Sequence, residues 1–423
     1  MNLPEKFIQR MKEELNDEYS EFIECYNKEP EIALRVNTLK IPPEEFKNAV
    51  DFCEDGVPWC GEAFYYKGKM GNHPSSLAGL FYSQEPSAML TAELADIKEG
   101  EVVLDLCAAP GGKSTQLAAK LNGTGLLVSN EIVTSRAKIL SENIERFGVR
   151  NAVVTNMSPE AMEEHFPEFF DKIIVDAPCS GEGMFRKDPD AVREWSIEHT
   201  VSCAQRQLSI IKSAEKMLKK GGELIYSTCT FSREENENLC EKVDSETTLK
   251  LCEMHKLLPH KVRGEGHFAA KFKKEGTGER KERKPIKTAK EDIVKIYKDF
   301  EKENLNAQLS GNFVAFGDFL YLVPKEMGTL DKIKCTRAGL LLGEIRKGRF
   351  IPSHHLCLAL KKEEFKRTFS LTDEEIDSYR KGESIRCEAE KGYGAVLYKD
   401  KYSVGWYKYS DGVLKNHYPK YLR

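Results

Sequence analysis

A Rossmann-like, doubly wound α/β sheet is the fold class this sequence predicts, with a small N-terminal α+β lobe and a strand-rich C-terminal appendage. Three observations predict it. From about residue 100 to 230, short apolar runs rich in Val, Ile and Leu alternate with amphipathic stretches, as β-α-β units of a parallel sheet require. The run "FDKIIVDAP" is apolar almost throughout, as a strand covered on both faces should be. A glycine-bearing turn, "CAAPGGKST", links the first apolar run to a helical stretch, where such folds place a ligand.

Taken in order, "PEKFIQRMKEELN" and "EYSEFIECYNK" read as helices, "IALRVNTLK" as a strand and "EEFKNAV" as a short helix after a Pro-Pro break. "SQEPSAMLTAELADI" reads as the helix leading out of this lobe. The sheet then follows, with strands "EVVLDLC", "GLLVSNE", "NAVVTN", "FDKIIVDAP" and "ELIYSTCT". Its helices are "KSTQLAAKL", "VTSRAKILSENIERFG" (stopped by Gly148) and the long "EHTVSCAQRQLSIIKSAEKMLKKGG", ended by two glycines. "EGHFAAKFKK" reads as its last strand, and "EDIVKIYKDFEKE" as a further helix. These shifts of pattern divide the chain into a lobe at 1–85, a sheet domain at 86–275, a basic linker at 276–300, a subdomain at 301–375 and a final module at 376–423.

Bulk properties narrow the classes. The 423 residues are 40% hydrophobic and 31% charged, an ordinary globular mix. No apolar run reaches the ~18 residues of a membrane span, and the charged N-terminus lacks a signal-peptide core, so a cytoplasmic location and no membrane partner are expected. A net charge of −4 argues against a uniformly basic nucleic-acid binder. It leaves room for a local patch, and residues 271–290 carry nine Lys/Arg against three Glu, which reads as a flexible, solvated segment able to touch phosphates. The 12 cysteines show no Cys-x-x-Cys pair, so no metal is expected and most thiols should be free.

The turn decides the ligand. A triphosphate loop requires Gly-x-x-x-x-Gly-Lys-Ser/Thr. Here Cys107 occupies the first glycine position, and Pro110 removes a backbone donor inside the loop. Gly111 and Gly112 still permit a tight turn and a close ligand. Glu131, at the end of the second strand, can accept two hydrogen bonds from ribose hydroxyls. The ligand therefore carries a ribose and need not carry a phosphate; S-adenosyl-L-methionine fits.

Two cysteines then name a chemistry. Cys179, in "DAPCSGEG", follows the fourth strand, and Cys229, in "STCTFSREENE", follows the fifth. Asp176 shares that rim. Taken singly, each cysteine reads as a small buried residue. Together on neighbouring strand ends they suit methylation of cytosine at carbon 5. That carbon becomes nucleophilic when a thiolate adds to carbon 6, helped by an acid at the ring. A zinc deaminase would need a second cysteine where Glu182 stands.

"LDLCAAPGGKSTQLA", "DKIIVDAPCSGEGMFRKDP" and "GGELIYSTCTFSREENE" closely resemble the RNA 5-methylcytosine methyltransferases of the Nol1/Nop2/Sun family. "GEGMFRKDP", "GHFAA", "GLLLGEIRKGRFIPSHHLCLAL" and "LKNHYPKYLR" resemble its bacterial RsmF-type branch, which acts on 16S ribosomal RNA. The likeness runs from about Arg35 to the end. It implies an S-adenosylmethionine-dependent methyltransferase sheet and a PUA-like RNA-binding module at the C-terminus. It also implies Cys229 as the nucleophile, Cys179 as the cysteine that aids product release, and Asp176 as the acid at the cytosine and the methyl donor. Cys107, Ala108, Ala109, Pro110, Gly111, Gly112 and Lys113 match the cofactor loop, with Lys113 near the reacting groups. Glu131 matches the ribose acid, Asn156 the polar residue near adenine and Arg136 a basic residue beside the cofactor. The expected partner is ribosomal RNA or the small ribosomal subunit, and the expected state a monomer. A transfer RNA methyltransferase of the same chemistry and a non-catalytic RNA-binding assembly factor are the alternatives.

Overall fold

The computed structural model describes residues 3–68, 70–71 and 73–423, and for Tyr421 its backbone alone. Its centre is an eight-stranded sheet. Five strands are β1 (Val102–Asp105), β2 (Leu126–Asn130), β3 (Ala152–Thr155), β4 (Phe170–Asp176) and β5 (Leu218–Thr228). They run parallel in the spatial order β5-β4-β1-β2-β3. The order reverses between β1 and β4, which opens a crevice beyond their carboxyl ends. β6 (Leu249–Leu257) and β7 (His267–Lys274) extend the sheet antiparallel past β5, and β8 (Cys335–Ala338) pairs antiparallel with β3.

Alternation along each strand sorts the core into two faces. Val103 and Leu127 pack with Leu117 of α1 (Gly112–Leu121) and with Leu140 and Ile144 of α2 (Thr134–Arg146). Leu104, Val128 and Ile173 face the other way, toward Ile211 and Ala214 of α3 (Ile197–Met217) and Val243 of α4 (Glu237–Glu246). All of these side chains are fully buried, each worth about 1.5–3 kcal/mol for the larger aliphatics.

Several elements differ from expectation. α3 ends at Met217, because Leu218 already pairs with Phe170 and strand β5 runs through the two glycines; Gly221 takes a positive φ of 74° beside the register shift. "SQEPSAMLTAELADI" is not one helix. Phe81–Gln84 is a strand paired with Ala33–Val36, then come a 3-10 turn at Ser87–Met89 and a helix only at Leu90–Leu94. The lobe thus holds a four-stranded antiparallel sheet, completed by Cys53–Val57 and Cys60–Tyr66. "EGHFAAKFKK" is the strand expected, β7, but the preceding β6 was not foreseen and lies beyond it at the edge of the sheet.

The basic stretch is not a free linker. Arg283 stacks over Phe166 at 4.2 Å and donates to the Thr329 carbonyl, Arg280 pairs with Asp171, and Lys281 with Glu168. Residues Glu291–Asn304 are helical. Beyond them lie an antiparallel four-stranded sheet (312–352) and a five-stranded sheet (368–416). Both are tied to the centre. Arg337 on β8 reaches Glu145 and Ser141 of α2, and a Cβ on Gly148 would meet the Leu358 carbonyl at 2.3 Å. Leu34 and Phe81 of the lobe share one apolar cluster with Tyr398 and Tyr407 of the final sheet. Among the described residues, no helix is long and apolar enough to cross a membrane.

Candidate active site

The loops after β1, β4 and β5 bring the predicted residues together. Cys179 Sγ lies 3.3 Å from Cys229 Sγ. Both thiols are partly exposed, unlike Cys25, Cys60, Cys203, Cys240 and Cys357, which are buried. Contact with Cys229, then burial, pushes the Cys179 thiol well above its ordinary value.

Asp176 ends β4 on the same rim. Lys113 Nζ, from the first turn of α1, sits 2.8 Å from its Oδ2, and Ser227 Oγ donates to its Oδ1 at 2.8 Å. Burial acts to raise the Asp176 carboxyl, but Lys113 and these hydrogen bonds outweigh it and hold the group below the usual range. Asp176 was expected as the acid at the cytosine. In this geometry it is an ionised acceptor, and the donor beside it is Lys113. His267, first residue of β7, places Nε2 3.1 Å from Thr91 Oγ1 and 3.8 Å from Asp176. Burial and the nearby Lys113 cation lower its pKa to about 3, so it is a neutral imidazole.

The cofactor loop turns at Gly111, whose φ of 117° excludes most side chains. A Cβ on Gly112 would press on Gln84 and Tyr82 at 3.2–3.3 Å, so this glycine lets the lobe's sheet seat against the loop. Arg35, fully buried, donates to the Gly112 carbonyl and to Thr115. Ala108 and Ala109 are buried against Leu117 and Leu140. Burial raises the Cys107 thiol far above its ordinary value, so it is inert packing in the loop. Arg136 donates to the Ala109 carbonyl at 2.8 Å and lies 3.4 Å from Glu131 Oε2. Glu131 accepts from Val133 N at 2.9 Å. Asn156 commits its amide to the Glu131 and Ile132 carbonyls and accepts from Thr134, so it shapes the turn after β2.

These groups fit a nucleoside that carries a cation. Glu131 keeps acceptor capacity after its two contacts. Asp105 Oδ1 is buried without a hydrogen-bond partner. Ile132 and Val133, apolar yet exposed, follow Glu131 directly. The acidic groups Glu131 and Asp176, with the buried carboxyl of Asp105 between them in the crevice, stand beside Lys113 and Arg136, a mixed set that suits a ligand carrying both cationic and anionic groups.

Sequence reasoning missed the supports of the thiols: Glu182, Glu235, Asn236, His267 and Arg10. Their signal was weak, because a buried carboxylate in a charged stretch reads as a solvated one. Glu182 is fully buried and accepts from Arg10 (2.6 Å), Trp195 Nε1 (2.7 Å) and Phe231 N (3.0 Å). It thereby ties the N-terminal helix Glu5–Leu15 to both cysteine loops.

Comparison with known proteins identifies the family. Residues 92–273 match the family model described as 16S rRNA methyltransferase RsmB/F. Residues 3–86, 299–360 and 366–423 match models for the RsmF N-terminal domain, its first C-terminal domain and its PUA domain. The likeness thus begins at residue 3, well before Arg35. The chain is 33% identical to the ribosomal RNA small subunit methyltransferase F of Aliivibrio salmonicida, covering 99% of this chain and 97% of that one. It is 32% identical to the same-named protein of Vibrio cholerae, covering 100% and 98%. A solved methyltransferase homolog from Pyrococcus horikoshii is 28% identical over 64% of this chain and 95% of its own, with a TM-score of 0.57. NSun6 from the same organism, solved with SFG, shares the fold at 22% identity and a TM-score of 0.59, over 65% and 99%. The sheet, the crevice and the full-length likeness lead to one conclusion: the chain is an S-adenosylmethionine-dependent RNA methyltransferase and belongs to the RsmB/F family of 16S rRNA methyltransferases.

Proposed function

We propose that this protein methylates carbon 5 of a cytosine in 16S ribosomal RNA, with Cys229 bonded transiently to carbon 6. The observation that carries the proposal is the pair of thiols 3.3 Å apart beside the Asp176–Lys113 ion pair. S-adenosylmethionine supplies the electrophilic methyl group. Glu131, with the apolar Ile132 and Val133, would hold its nucleoside, and the loop from Cys107 to Lys113 its remaining part.

The Cys229 thiolate adds to carbon 6, and the ring electrons move to carbon 5, which takes the methyl group. Asp176, ionised, accepts from the cytosine amino group, while Lys113 stabilises the negative charge that builds on the ring. Once Cys229 is a thioether, its contact no longer raises the Cys179 thiol, and burial is the main cause that remains. Cys179 then loses its proton to solvent and takes the proton of carbon 5. The double bond re-forms, the carbon–sulfur bond breaks, and Cys229 leaves as thiolate. The balance is one methyl gained and one proton released.

The test is tritium transfer from labelled S-adenosylmethionine to 16S RNA and to 30S particles, with bisulfite sequencing of the product. A single protected cytosine in 16S RNA is expected. Labelling of transfer RNA alone would overturn the substrate and keep the chemistry. Label at any atom other than carbon 5 would overturn the chemistry.

A further inference from the structure

Behind the two thiols lies a polar network that the transfer chemistry above does not use. Glu235 and Asn236, consecutive and fully buried, stand between β5 and α4. Asn236 occupies the N-cap of α4, where its side chain would ordinarily accept from the first turn of the helix. It makes no such bond. Its Oδ1 instead accepts from Thr228 Oγ1 at 2.7 Å, and its Nδ2 donates to the Thr230 carbonyl at 2.9 Å. These are the residues on either side of Cys229. The nucleophile is therefore bracketed by one amide, at the cost of a helix cap.

Glu235 serves the other thiol. Its carboxylate accepts from the backbone N–H of Ser180 (3.0 Å), from Ser180 Oγ and from Gln207 Nε2 (2.8 Å). Ser180 follows Cys179. Among the described residues no cation pairs with the carboxylate, and burial raises its pKa to about 7. A carboxylate kept in such a place without an ion-pair partner is expensive, so its three hydrogen bonds hold the Cys179 loop against that cost. Ser180 Oγ and Thr230 Oγ1, 2.8 Å apart, join the two halves, and Gly183 N donates to the Cys229 carbonyl at 2.7 Å.

We infer that Glu235 and Asn236 are a pair of positioning residues with divided tasks: Asn236 aims Cys229 for addition, and Glu235 holds Cys179 where it can take the carbon 5 proton. The inference rests on the covalent reading proposed above. Loss of Asn236 should slow formation of the adduct. Loss of Glu235 should spare formation and slow release.

The experiment uses the full chain, S-adenosylmethionine and two 16S RNA transcripts, one ordinary and one with 5-fluorocytosine. Fluorine cannot leave as a proton, so the second transcript traps the adduct after methyl transfer. Asn236→Ala should lower adduct formation on the fluorinated RNA and turnover on ordinary RNA together, by about tenfold or more. Glu235→Ala should form the fluorinated adduct within about threefold of the parent rate, lose about tenfold or more in turnover, and accumulate adduct on ordinary RNA. Glu235→Gln, with its carbonyl at the Oε2 position, keeps the acceptor for Ser180 N and Gln207 Nε2, and its amide N–H can donate to Ser180 Oγ, whose own proton then turns to Thr230 Oγ1. That variant should regain most of the turnover. Should Glu235→Ala not fold, Ser180→Ala removes the bridging hydroxyl alone and should show the same split more weakly. Equal loss of both steps in both variants, with weakened S-adenosylmethionine binding, would reduce the pair to scaffold and overturn the inference. Absence of a fluorinated adduct with the parent protein would overturn the covalent reading itself, a result seen before any variant is made.

Discussion

On the cofactor side of the crevice, the bonds that set the candidate residues are short in sequence. Arg136 to Ala109, Asn156 to Glu131 and Ser114 to Asp105 span 27, 25 and 9 residues. On the thiol side, Ser180 to Glu235, Arg186 to Glu265 and Arg10 to Glu182 span 55, 79 and 172. The cofactor side is a set of local turns on strand ends, with Arg35 as its main long tie. The thiol side is assembled from distant parts of the chain between Arg10 and Glu265, including the first helix. A turn can be built from a few neighbouring residues. Two thiols held at contact distance need walls on every side.

The largest expected effect separates the two sides outright. Cys229→Ala should lower turnover by at least about 10³-fold, with S-adenosylmethionine binding by calorimetry unchanged. Glu131→Ala should do the converse, raising the cofactor dissociation constant by about tenfold for one lost charged hydrogen-bond acceptor and sparing adduct formation at saturation. If Cys229→Ala retained activity, the thiol side would not be the reaction centre.

That contrast also explains what the sequence could show. Cys179, Cys229 and Asp176 were legible because each ends a strand whose apolar run is unmistakable. Lys113 was legible as a site residue, but its partner was not, since nothing in "GGKST" points to an aspartate 63 positions on. Asn156 was read as a ligand group and is bound up in bracing the turn after β2. The lobe's strand Ala33–Val36 was legible, but Cys53–Val57 and Cys60–Tyr66 were missed because "DFCEDGVPWCGEAFYY" mixes charge with apolar residues, and its pairing depends on Ala33–Val36 and on the lobe's packing.

Next in size is Cys179→Ala. Turnover should fall by about 10²-fold, the usual worth of a positioned base. A covalent protein–RNA band on denaturing gels should accumulate with ordinary RNA. No such band, together with lost turnover, would move Cys179 from release to addition.

A smaller effect tests the reach of the thiol side. Arg10→Met removes the one cation that pairs with the fully buried Glu182 among the described residues and should cost about 3 kcal/mol in urea unfolding. Arg136→Met on the cofactor side, where the guanidinium side chain is 53% exposed, should cost under about 1 kcal/mol. Equal costs would mean that the first helix is not part of the site's frame.

The smallest expected effect asks whether the two sides share one stress. Asp105, at the end of β1, is fully buried, with one oxygen bonded to Ser114 and the other unpartnered. Burial raises its pKa to about 7; Ser114 opposes the rise, and the charge of Asp176 adds to it. The folded protein thus holds this proton more tightly than the unfolded chain, whose aspartate titrates near 4. The stabilisation is complete below pH 4 and is lost as pH rises through about 7. Stability of the cofactor-free protein should fall across that window. Asp105→Asn removes the group, so its curve should be flatter, and at pH 8 it should be more stable than the parent by about 1–2 kcal/mol. Glu235, raised to about 7 by burial on the thiol side, supplies a slope of the same sign, so the curve flattens only in part. Urea unfolding at pH 5 and pH 8 measures the difference. Parallel curves for parent and variant would show that Asp105 is already ionised in the fold, and that the strain of buried charge belongs to the thiol side alone.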